Sequence, residues 1–197
     1  MKKILFLAFM ALGFFSVSAQ MWVGGSIGFT SSSSDSENQG YTSKSDLTRF
    51  DFTPEVGYAL NDRFSLALAL GYNLSHIDGR TIAPDGTKVG HDNKLHGFTI
   101  HPYVRYHFAE WQKVRFFVDG GLKYTDTSNK LNDVRTSTTS FAVTFAPGIS
   151  YQLTPRLGLV THIGSLGWER TDADSGVDND FFLSLTNNLY FGFYVNL

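Results

Sequence analysis

The chain has 197 residues, with 16 Lys and Arg against 18 Asp and Glu, a formal net charge of −2, and no cysteine. Such a balance lacks the basic footprint of a nucleic-acid-binding protein. The absence of cysteine excludes thiol chemistry, disulfides and Cys-based metal sites, and suits passage through an oxidising periplasm without mispairing. The length fits one domain after processing, and the frequent Gly, Phe and Tyr fit an all-β chain with tight turns.

Residues 1–19 read as a signal peptide. Lys2 and Lys3 form the positive start, residues 4–15 an apolar stretch, and Val17-Ser18-Ala19 a small-residue cleavage site, with cleavage expected before Gln20. The apolar stretch is too short to span a bilayer as a helix, which takes about 20 residues. The expected domain organisation is therefore a signal peptide, 1–19, and one mature domain, 20–197.

Eight strands with a period of two follow in chain order. The first, 21–30, alternates Val23, Ile27 and Phe29 with Trp22, Ser26 and Thr30. The second, 46–60, sets Phe50, Phe52, Pro54, Val56, Tyr58 and Leu60 against Arg49, Asp51, Thr53 and Glu55. Pro54 removes a ladder donor, but the alternation continues on both sides of it. The third, 63–76, places Phe64, Leu66, Leu68, Leu70 and Tyr72 on one face, and the fourth, 94–108, places Phe98, Ile100, Val104 and Tyr106 opposite His101 and Arg105. The fifth, 114–124, opposes Phe116, Val118 and Leu122 to Arg115, Asp119 and Lys123. The sixth, 139–152, carries Phe141, Val143, Phe145 and Ile149 outward. In the seventh, 156–169, Leu157 and Leu159 share a parity that Leu166 and Trp168 break, so a bulge is expected near Gly164-Ser165. The eighth, 180–197, sustains alternation from Phe181 through Leu183, Leu185, Phe191, Phe193 and Val195 to Leu197.

The connections alternate in length. Residues 31–45, 77–93, 125–138 and 170–179 read as long polar loops, whereas 61–62, 109–113 and 154–155 read as short turns. An even number of antiparallel strands with short turns at one end and long loops at the other is the pattern of outer-membrane barrels. Closure also removes the unpaired edges that lipid cannot solvate. A soluble barrel would keep its charges outside. Here Arg49, Asp51, Glu55, His101, Arg105, Arg115, Asp119 and Lys123 fall on the narrower face between large hydrophobes, and we read them as a lumen charge network. The expected fold is an all-β, eight-stranded antiparallel up-and-down transmembrane β-barrel, with four long extracellular loops and three short periplasmic turns.

Segments such as Thr53-Pro54-Glu55-Val56-Gly57-Tyr58-Ala59-Leu60-Asn61-Asp62-Arg63, His101-Pro102-Tyr103-Val104-Arg105-Tyr106 and Ala146-Pro147-Gly148-Ile149-Ser150-Tyr151-Gln152-Leu153-Thr154-Pro155-Arg156 carry a family resemblance. The chain resembles the small outer-membrane β-barrel family (the porin family, or outer membrane protein β-barrel domain), with an architecture similar to OmpX and the OmpA barrel. The resemblance spans the mature chain and implies a location in the outer membrane of a Gram-negative cell. It also implies that Tyr190, Phe191, Phe193, Val195 and Leu197 form the C-terminal signal read by the barrel-assembly machinery, although such signals usually end in an aromatic residue and this one ends in Leu197. The partners expected are outer-membrane lipid, lipopolysaccharide and that machinery, with no nucleic acid and a monomeric state. No cofactor is expected.

An eight-stranded barrel leaves an interior just wide enough for side chains to fill. The lumen charges therefore read first as a charge-balanced plug and second as an ion path. His76, His91 and His96 read as exposed loop residues rather than a metal site, and Asp172, Asp174, Asp178 and Asp180 around Gly176 as a solvated acidic loop rather than a calcium site. His162, with Ser165 nearby, leaves a lipid-A-modifying enzyme as a distant alternative, since no nucleophile–base–orienter set stands out. The leading expectation is a non-enzymatic surface barrel of structural or adhesive role, with a narrow porin-like channel as the alternative.

Overall fold

The computed structural model describes residues 21–38, 41–131, 134–173, 176–185 and 191–197. The signal peptide, Asp174 and Tyr190 lie outside the described residues.

The described residues form strands β1 (Met21–Asn38), β2 (Tyr41–Ala59), β3 (Phe64–Ile82), β4 (Lys88–Trp111), β5 (Val114–Leu131), β6 (Val134–Gln152), β7 (Leu157–His162), β8 (Gly164–Ala173), β9 (Gly176–Leu185) and β10 (Phe191–Asn196). β7 with β8 makes the seventh pass across the sheet, and β9 with β10 the eighth. Each pass pairs antiparallel with its neighbour in sequence. β10 then pairs with β1, Trp22 opposite Asn196 through Ser26 opposite Gly192, and this closes the ring.

Polarity is inverted relative to a soluble barrel. Phe50, Phe52, Leu66, Leu68, Leu70, Phe98, Ile100, Val104, Leu122, Phe141 and Phe145 are exposed, while Arg105 and Asp119 are buried among Trp22, Tyr103 and Phe117. Successive side chains of a strand point to opposite faces. The even and odd sets read from the sequence therefore become a hydrocarbon outer wall and a polar interior, as an outer-membrane barrel requires. Among the described residues no helix is long and apolar enough to cross a membrane.

Two local irregularities have clear causes. Pro54 has no N–H, and the β2–β3 register skips from Phe52 opposite Tyr72 to Glu55 opposite Ala69, while β1 still pairs Gly25 with Pro54. On the seventh pass, Gly148 pairs with His162 and Phe145 with Leu166, so one extra residue sits at the β7–β8 break. That bulge returns Leu166 and Trp168 to the outer face.

The long loops expected from sequence require correction. Residues 31–45 continue the β1–β2 ladder to Asn38 opposite Tyr41. Residues 77–93 are ladder except for the turn at 83–87. Residues 125–138 pair as far as Leu131 opposite Val134, and 170–179 as far as Ala173 opposite Gly176. These are β-hairpins, not loops. Their two faces both meet water, so apolar alternation vanishes while the backbone ladder persists. Cross-strand polar pairs replace it, as between Lys44 and Asp35 at 2.9 Å and between Ser43 and Thr81 at 3.3 Å. On the eighth pass Leu185 pairs with Gly164 and Phe191 with Thr161.

Candidate functional site: a plugged cup in the lumen

The register places Arg105 of β4 directly opposite Asp119 of β5. Their side chains meet in a forked pair: Arg105 Nε donates to Asp119 Oδ1 and Nη2 to Oδ2, both at 2.8 Å, with each side chain only 5% exposed. A buried ion demands partners, and more are present. His162 Nε2 lies 2.8 Å from Asp119 Oδ2. The guanidinium sits 4.1 Å from the Phe117 ring centre and 5.4 Å from that of Trp22, within reach of the ring quadrupoles. Tyr103 donates its hydroxyl proton to Glu55 Oε2 at 2.8 Å. His101 Nε2 stands 3.2 Å from Thr144 Oγ1.

Three rings of the lumen, those of Trp22, Phe117 and Tyr194, lie over glycines on neighbouring strands. Trp22 pairs with Gly57, Phe117 with Gly148, and Tyr194 with Gly158. A Cβ added at any of the three would run into the facing ring, whereas at Gly121, opposite Tyr103, it would meet the Pro102 carbonyl, the Tyr103 Cβ and the His101 ring. The missing side chains thus make room for rings that fold flat across the lumen, the arrangement known to favour Gly–aromatic cross-strand pairs. Phe117 is wholly buried by it.

The plug is a layer, not a filling. On its hairpin side a cavity of about 570 Å³ opens, lined by Asp51, Glu55, His101, Lys123, His162 and Glu169 among others. On the turn side a smaller cavity of about 100 Å³ is lined by Arg105, His107, Arg115 and Tyr194. The lumen is therefore a cup with a closed floor.

The predicted charge set divides accordingly. Glu55, His101, Arg105 and Asp119 come together in or on the plug, and Lys123 lines the cup. Arg49 and Asp51 pair with each other at 2.8 Å nearer the hairpins. Arg115 pairs with Glu110 at 3.1 Å at the turn end, away from Asp119. Trp22, Tyr103, Phe117 and Tyr194 had no role in the sequence reading. Their signal was a large ring on the otherwise small, polar face, but the opposed glycine is visible only once register is known. Of the assembly-signal residues, Phe193 and Val195 face outward and are exposed, and Leu197 donates its backbone N–H to the carbonyl of Met21 at 2.9 Å.

His76 Nδ1 lies 3.3 Å from Asp92. Among the described residues no group of three or more His, Cys, Asp or Glu is placed to hold a metal ion.

With this geometry in view, comparison with known proteins is informative. The N-terminal β-barrel domain of Pseudomonas aeruginosa OprF is similar in structure, at 16% sequence identity and a TM-score of 0.51, covering 90% of this chain and 98% of that one. This likeness supports the fold alone. The attachment invasion locus protein Ail of Yersinia pestis aligns at 12% identity over 90% of this chain and 99% of that one, with a TM-score of 0.46. A search of the curated proteins gives no match. The model of the outer membrane protein beta-barrel domain matches residues 4–194. The chain belongs to that family of outer-membrane β-barrel proteins.

Proposed function

We propose that the protein is a monomeric surface barrel that holds rigid β-hairpins above the membrane for a structural or adhesive role. The observation that carries this reading is the combination of a closed lumen floor with hairpin ladders that run on past the apolar wall. Hairpins whose backbone groups are paired present side chains in fixed positions, which lowers the ordering cost of binding a partner. Outer-membrane lipid and lipopolysaccharide would surround the wall, and the barrel-assembly machinery would read the terminal strand through Phe191, Phe193, Val195 and Leu197. The Arg105–Asp119 layer argues for a plug rather than an ion path, and among the described residues the His162–Asp119 contact has no nucleophile among its hydrogen-bond partners.

The test is truncation of the β1–β2 and β5–β6 hairpins at residues 31–45 and 125–138. Heat-modifiable gel mobility should be kept, because the barrel wall is untouched. Attachment of expressing cells to surfaces or to other cells should fall. Unchanged attachment with correct assembly would refute the adhesive role. Stable single-channel openings of the purified intact protein in planar bilayers would refute the plug.

A further inference from the structure

The plug separates two lumen faces of different charge. The cup on the hairpin side carries the carboxylates of Asp51, Glu55, Asp119 and Glu169. The cavity of about 100 Å³ on the turn side is lined instead by Arg105, His107 and Arg115, with Trp22, Ser65 and Ser150, and no carboxylate belongs to its wall among the described residues. Register brings these groups together, since Ser65 stands opposite Arg105 and Arg115 opposite Ser150. Exposed turn residues around the mouth add Arg63, Lys113 and Arg156 against Asp62 and Glu110. Short turns of such barrels face the periplasm, so this mouth opens there.

Arg105 has more donors than the plug uses. Its Nε and Nη2 serve Asp119, and Nη2 also reaches the Tyr103 hydroxyl at 3.4 Å. The guanidinium fork is rigid, so with that edge turned to Asp119 the Nη1 group points away from it. Nη1 makes no hydrogen bond among the described residues. Trp22, Ser65 and Ser150 are 7%, 5% and 4% exposed, and their indole N–H and hydroxyls likewise make none among the described residues. Buried polar groups are nearly always answered. Gln152 and Asn196 both donate to the carbonyl of Pro155, at 3.3 and 3.5 Å, and hold the outer edge of the wall. The wall thus gathers buried donors and positive charge around one small space.

We propose that the turn-side cavity binds one small carboxylate, seated on Arg105 Nη1 and ringed by the Trp22 indole, the Ser65 and Ser150 hydroxyls and Arg115. Arg105 and Arg115 are already paired with Asp119 and Glu110. The surplus positive charge is therefore small, which suits a monoanion rather than a phosphate dianion. The volume lies well below the roughly 300 Å³ at which drug-sized ligand sites begin. It takes a carboxylate-sized group, and anything longer extends out through the mouth. The carboxylate arrives from the periplasm, either free or as the end of a peptide chain.

Trp22 itself reports on the site. The chain has 3 Trp, and the other two, Trp111 and Trp168, are exposed, so W111F/W168F leaves Trp22 as the only one. This barrel, purified in a non-ionic detergent at constant ionic strength in sodium sulfate, is titrated with iodide, a monoanion that quenches indole emission on contact. The expected result is quenching that saturates and is reversed by formate and acetate but not by acetamide, their neutral relative. Caesium, a cationic quencher, should leave Trp22 emission unchanged. In the same background R115M should weaken iodide and acetate binding about tenfold, the loss of one charge-assisted contact, and S150A about threefold. Reversal by N-acetyl-alanyl-alanine, and not by its C-terminal amide, would give a chain end as the source; reversal by formate and acetate alone would give free anions. Heat-modifiable mobility verifies folding, and either variant suffices if the other does not assemble. Quenching that rises without saturation, is matched by caesium, or is untouched by both R115M and S150A would mark an adventitious ion only and overturn the proposal.

Discussion

Replacing Arg105 with Met tests the plug at its centre. Arg105 and Asp119 are joined by two hydrogen bonds of 2.8 Å, and each side chain is 5% exposed. The variant keeps most of the packing volume against Phe117 and Trp22 but leaves Asp119 buried without its forked partner. Removal of one member of a buried pair typically costs about 3–5 kcal/mol. His162, 2.8 Å from Asp119 Oδ2, still offers a donor, so the lower end of that range is expected. At about 1.4 kcal/mol per factor of ten, the folded-to-unfolded ratio should fall by about two orders of magnitude. The assay is urea titration of the protein refolded into phospholipid vesicles, with folded fraction read from heat-modifiable mobility. The double variant R105M/D119L leaves no uncompensated charge and should recover most of the loss, since well-packed apolar replacements of buried pairs are often near neutral. A loss below about 1 kcal/mol for R105M would mean that water reaches Asp119 and that no dry plug exists. A double variant as unstable as the single one would also refute the reasoning.

Other expectations concern the wall, the glycine pairs and the hairpins. Leu68 faces outward in the apolar row Leu66, Leu68, Leu70 of β3, so Leu68→Arg should cost about 2–4 kcal/mol in vesicles; a neutral result would contradict the facing assigned to β3. Gly57→Ala places a methyl group against the Trp22 indole and should destabilise the barrel by about 1–3 kcal/mol, measured in the same urea titration. Gly90 has no such ring above it, and Gly90→Ala should cost less. The Lys44–Asp35 pair is solvent-exposed on both sides, so Asp35→Ala should change stability by less than about 1 kcal/mol.

The period of two determined the architecture from sequence alone. Phe50, Phe52, Leu66, Leu68, Phe98 and Ile100 had to share one face because strand geometry leaves no choice, and lipid on one side with a polar lumen on the other is the environment that rewards that pattern over eight passes. The parity change between Leu159 and Leu166 even located the bulge at the β7–β8 break. What the sequence could not carry is whatever depends on register or on backbone bonding alone. The hairpin extensions read as loops because residues such as Ser31–Ser34 meet water on both faces, and ladder hydrogen bonds leave no mark on side-chain choice. Likewise the charges at 105 and 119 were visible as a set, but their pairing and the separation of Arg115 from them required the β4–β5 register. The rings of Trp22, Phe117 and Tyr194 find their glycines across neighbouring strands, and only the register says which residue stands opposite which.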